Sequence, residues 1–138
     1  MTKNIQRNKL HIIIHSDKKL VSKISRDFLD LLHENNIYNI DSIQIAFEEA
    51  LMNAIVHGNN NDINKNIDIF FEIYCNKVQV IIENEGEGFD YIFSILNVEN
   101  SNENIFNNSG RGIFLISLYT DKFYFENGGR RIILVKNF

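Results

Sequence analysis

Apolar and polar positions change period several times along the 138 residues, and each change marks an element. Residues 9–15, KLHIIIH, predict a first strand, and Ser16 is placed to cap the helix that follows. In that helix Leu20, Ile24, Phe28 and Leu31 recur at helical spacing, so one stripe is buried as far as about His33. A second helix is predicted to open near Asp41, where Gln44 gives the spacing of a capping box. Its apolar set (Ile43, Phe47, Leu51, Ala54, Ile55) continues to Val56, and Gly58 supplies the stop.

The period then shortens. Ile67, Ile69, Phe71, Ile73 and Cys75 alternate with Asp68, Phe70, Glu72 and Tyr74, which predicts a strand. Asn76-Lys77 is a turn, and residues 78–83 return as its partner. NEGEGFD (residues 84–90) follows, with a short helix from Tyr91. Residues 97–109 are polar and unpatterned, a loop of the length that often forms a lid. SGRGIFLISLY opens another helix at Gly110. Residues 122–126, an Asn127-Gly128-Gly129 turn and residues 131–136 predict a closing hairpin. With no internal repeat or linker, residues 1–138 read as one domain. Helices segregated from strands point to an α+β two-layer sandwich.

Composition narrows the classes of function. The formal charge is −4 with no basic run, so no nucleic-acid partner is expected. Apolar runs such as residues 12–14 and 132–135 are too short to span a bilayer, and the first ten residues lack the apolar core of a signal peptide. A single cysteine, Cys75, cannot form an internal disulfide. A cytoplasmic protein without membrane contact is the expectation. Proline is absent, so helix ends rest on caps and glycines.

Three stretches carry candidate chemistry. In FEEALMNAIVHGN, Glu49, Asn53 and His57 recur every four residues amid alanine, leucine and isoleucine. An amide oxygen suits Mg²⁺, and a carboxylate one turn away can accept a proton from an attacking hydroxyl. A solvated helix edge would have the same pattern. In NEGEG, Gly86 and Gly88 let the backbone turn tightly and approach a ligand, as ordinary turn glycines also do. Gly110-Arg111-Gly112 at a helix start offers backbone amides to phosphate, though any helix start does so. It is not the P-loop pattern, because no Lys-Ser/Thr pair follows.

Taken together and in order, EALMNAIVHG, NEGEGFD and SGRGIFLI resemble the three nucleotide boxes of the Bergerat-fold ATPases. That superfamily includes gyrase, the ninety-kilodalton heat-shock chaperone, histidine kinases and the mismatch-repair ATPases. The length and the wording of the boxes are most similar to the anti-sigma-factor serine/threonine kinases, across essentially the whole chain. The resemblance implies a histidine-kinase-like ATPase fold with a mixed, mainly antiparallel sheet. It also implies ATP or ADP with Mg²⁺ as ligands. Glu49 matches the general base and Asn53 the Mg²⁺-binding asparagine. Gly86 and Gly88 match the adenine-side turn, and Gly110, Arg111 and Gly112 the box that closes over the phosphates. Implied partners are an anti-sigma-factor-antagonist domain, phosphorylated on Ser or Thr, and a sigma factor; several members are homodimers. His57 and Gly58 are given helix-end and packing roles, and Glu48 a different azimuth from Glu49.

One position departs from the pattern. Asn84 stands where the family has an Asp that accepts a hydrogen bond from the adenine amine. A neutral amide oxygen in that role predicts adenine binding weaker by about tenfold. A nucleotide-dependent binding module without phosphotransfer is therefore a second expectation.

Overall fold

Inward residues two apart on every strand but the first, matched across neighbours, fix both the sheet and its register. The computed structural model describes residues 1–88 and 108–138, the latter with side chains from Gly112 onward. Among the described residues there are six strands: β1 (Thr2–Gln6), β2 (Lys9–His15), β3 (Asn66–Ile73), β4 (Lys77–Asn84), β5 (Lys122–Glu126) and β6 (Arg131–Asn137). Their spatial order is β1-β2-β3-β4-β6-β5. Every described pairing is antiparallel, so the parallel pairs of a mixed sheet are not found among them.

The register runs Ile12↔Ile69, Ile69↔Ile82, Ile82↔Ile132 and Ile132↔Phe125. One apolar row thus crosses five strands on the face that the helices cover. Helices α1 (Val21–Glu34), α2 (Ile43–Asn53) and α3 (Asn108–Tyr119) form that second layer. The layers meet at an aromatic cluster. Phe28 of α1 stacks on Phe71 of β3 at 4.5 Å between ring centres, and Phe47 of α2 lies 5.1 Å from the same ring. All three are fully buried. Helix α2 lies between α1 and α3 and also touches β4 and β6. Ile43, Ala46, Phe47, Ala50 and Leu51 form its buried stripe, and Glu48, Glu49 and Asn53 lie half-buried beside it.

Several local expectations change. Strand β1 has no inward stripe, since all five of its residues are exposed, and periodicity did not find it. Ser16 does not cap a helix. Its hydroxyl donates to the Lys65 carbonyl, while Asp17 caps the 3-10 turn Lys18–Leu20 through the Lys19 amide. Nor does Gln44 close a capping box, because its amide donates to the Ser25 carbonyl and hydroxyl on α1. Helix α2 opens at Ile43 with no side-chain cap. Strand β3 ends at Ile73, leaving Cys75 exposed beyond the alternation. Asn108 and Ser109, placed by pattern in a loop, are helical. The helix expected from Tyr91 and the body of the lid loop lie outside the described residues.

Candidate functional site

Glu49 and Asn53 sit one turn apart on α2, which puts their side chains on one face. Both are half-buried. Neither the Glu49 carboxylate nor the Asn53 amide has a hydrogen-bond partner among the described residues. Helix α3 meets the pair at Gly112. A Cβ there would crowd Asn53 Nδ2 at 3.0 Å and touch Glu49 Oε2 at 3.4 Å. Glycine keeps that space open. Gly112 is at least the fifth residue of its helix, beyond the first-turn amides that a helix leaves unpaired. Its contribution is close approach, where a free helix-end amide was expected. Of Gly110 and Arg111 the structure gives helical backbone alone.

His57 does not join the pair. After Asn53 the chain widens into a π turn, Ala54–Gly58, in which the Asn59 amide donates to the Ala54 carbonyl at 2.9 Å. The wider turn ends the four-residue recurrence, and His57 is exposed. Glu48 is held elsewhere, accepting a 2.6 Å hydrogen bond from the Ser25 hydroxyl on α1.

The second box packs against the end of this π turn. Asn84 occupies the next inward position of β4 after Val78, Val80 and Ile82, so the strand's own alternation buries it to 7 % exposure. Its Oδ1 accepts the Gly86 amide at 2.9 Å, and its backbone amide donates to the Arg130 carbonyl at 2.9 Å. Gly58 and Gly86 are required by contact. A Cβ on Gly86 would fall 1.8 Å from the Gly58 carbonyl oxygen, and one on Gly58 would fall 2.4 Å from Asn84 Nδ2. Gly88 has φ +89°, and a Cβ there would meet the Gly128 carbonyl oxygen at 2.3 Å. The glycine turn is thus clasped between the π turn and the closing hairpin.

Between α2 and the sheet lies a narrow cleft, with about 20 Å³ of enclosed free space, that opens to solvent. Ala50, Ala54, Ile82 and Ile132 give it apolar walls, while Asn53 and Asn84 supply polar groups. A flat apolar ring suits the walls, and a charged group suits the Glu49–Asn53 end. No cluster of three or more His, Cys, Asp or Glu is found among the described residues. A hard cation that keeps most of its shell as water and phosphate needs only one or two protein oxygens, and Asn53 and Glu49 have that chemistry.

Two residues escaped the sequence reading. Asn59 is fully buried: its Nδ2 donates to Ser16 Oγ at 2.8 Å and to the Asn66 carbonyl at 3.0 Å, and its Oδ1 accepts the Glu85 amide at 2.9 Å. It ties the end of β2, the start of β3 and the glycine turn to the π turn. Arg130 lines the cleft, and its carbonyl anchors Asn84. In a chain rich in asparagine, nothing local marked Asn59.

Comparison with known proteins agrees with this arrangement. The sequence profile of the histidine kinase-like ATPase domain matches residues 14–136. The chain belongs to that family. Within the histidine kinase-like ATPases it is similar to the serine-protein kinase RsbW of Staphylococcus epidermidis, 35% identical over 105 residues. It is also similar to the protein of that name in Staphylococcus aureus strain MSSA476, 34% identical over 105 residues. Each match covers 71% of this chain and 65% of the relative, so just under two thirds of the relatives' length is represented. No helix among the described residues is long and apolar enough to cross a membrane.

Proposed function

We propose that this histidine kinase-like ATPase domain is a regulatory protein serine/threonine kinase of the anti-sigma-factor type, phosphorylating an anti-sigma-factor antagonist. The observation that carries the reading is the unpartnered Glu49–Asn53 pair facing Gly112 beside an apolar cleft. ATP is the donor that the family implies. Asn84, Gly86 and Gly88 would hold its base beside the apolar walls, and Asn53 with the helical Gly110-Arg111-Gly112 segment would face its phosphates. Asn53 would hold Mg²⁺, which would supply charge compensation for the phosphoryl oxygens. Glu49 would accept the proton of the partner's Ser or Thr hydroxyl as that oxygen bonds to the γ-phosphorus and the bond from that phosphorus to the bridging oxygen breaks, so that ADP leaves. Gly112, lacking a side chain, keeps both groups within reach of the phosphates. A sigma factor as second partner rests on the resemblance to the anti-sigma-factor kinases. A homodimer as the working form rests on the resemblance to that kinase family alone.

Glu49→Gln tests the reading. The variant should bind nucleotide within about threefold of wild type yet transfer phosphate to a Ser-bearing antagonist domain at least 100-fold more slowly, by intact mass, in line with the usual worth of a general base. Equal transfer by both proteins would remove Glu49 as the base. The alternative, a nucleotide-dependent binding regulator without phosphotransfer, draws support from Asn84, whose oxygen is already engaged by Gly86. It predicts no transfer by wild type, together with partner affinity that differs between ATP and ADP.

A further inference from the structure

We infer that the base end of the cleft selects a purine bearing oxygen at C6, as in a hypoxanthine or guanine nucleotide, over one bearing an amino group. The inference rests on the reading of the cleft as a nucleotide site.

Asn84 is more than nine-tenths buried and lines the cleft. A buried amide needs partners for both its ends. The orientation of this one is fixed by its neighbour. The Gly86 amide is a donor 2.9 Å away, so the atom facing it must be the oxygen; a flipped amide would set donor against donor. The oxygen is therefore turned to the glycine turn, 3.1 Å from where a Gly86 Cβ would stand. Nδ2 carries two donors and finds no acceptor among the described residues. Gly58 keeps that nitrogen uncovered, since any Cβ there would lie 2.4 Å from it.

At this point of the wall the protein presents N–H groups. A ligand atom seated against them must be an acceptor. The exocyclic amine of adenine is a donor, and placing it there leaves two buried donors unpaired. A C6 carbonyl oxygen accepts from Nδ2 and satisfies both sides. A carboxylate at the same position has the opposite character: it is acceptor-only when ionised, and it would take the Gly86 amide with one oxygen and an adenine amine with the other. One buried hydrogen bond made, against one donor left bare, corresponds to about a tenfold difference in affinity.

Inosine triphosphate and ATP share sugar and phosphates and differ at the C6 edge, so they are the probes. Calorimetric titration of each, with Mg²⁺, into wild type and Asn84→Asp should show wild type binding ITP about tenfold more tightly than ATP, and the variant reversing that order. Wild type that binds ATP as tightly as ITP, or more tightly, overturns the inference and leaves the nucleotide site standing. Wild type that binds neither at millimolar concentration overturns both. Should the variant lose its cooperative thermal transition, the two wild-type affinities decide alone.

Discussion

Single residues in this protein do work that their type alone would not announce. Asn59 is the clearest case, because a side chain with no exposed surface joins three segments through three hydrogen bonds. A buried polar group left without its partner costs roughly 1–3 kcal/mol, and Asn59→Ala strands a backbone amide and a carbonyl together. The variant should lose about 3 kcal/mol or more in urea unfolding. A loss under about 1 kcal/mol would show that the polar staple is replaceable by water. Asn84 is the second case. Its burial follows from strand parity, and its amide direction follows from one neighbouring N–H.

At the scale of elements, the pieces that hold the site are those where regular structure gives way: a π turn after Asn53, a glycine turn after Asn84 and a helix that approaches through Gly112. Gly112→Ala separates stability from function. Alanine favours a helix interior by about 0.5–1 kcal/mol over glycine, and the half-buried Asn53 has room to shift away from the new methyl. The variant should therefore melt at or slightly above the wild-type temperature while binding Mg-nucleotide at least tenfold more weakly. Unchanged affinity would show that α3 does not bound the site. Strands Lys9–His15, Lys77–Asn84 and Lys122–Glu126 were legible because each alternates toward a packed face. Strand β1 was not legible, since an edge strand with five exposed residues is held by its main chain and carries no apolar signature. The boxes were legible as a resemblance. The π turn, the partners of Asn59 and the engagement of Gln44 by Ser25 were not, because they depend on segments distant in sequence that only the fold brings together.

On the scale of the whole molecule, an antiparallel sheet and its helical layer leave a cleft with apolar walls lined by the unpartnered Asn53 amide, one helical turn from the unpartnered Glu49 carboxylate. Core packing explains why that end is polar and still firm. Phe28, Phe47 and Phe71 lock α1, α2 and β3 together below it, so Glu49 and Asn53 project from a helix that is buried on most of its other sides. The histidine kinase-like ATPase family and the kinase-like relatives agree with this geometry. The central claim is that the cleft binds Mg-nucleotide through Asn53. Calorimetric titration of ATP and ITP into wild type and Asn53→Ala, with Mg²⁺ and with EDTA, tests it most directly. Saturable, Mg²⁺-dependent binding by wild type, weakened at least tenfold in the variant, is the predicted result. No binding of either nucleotide to wild type at millimolar concentration, or equal binding by the two proteins, would contradict the claim.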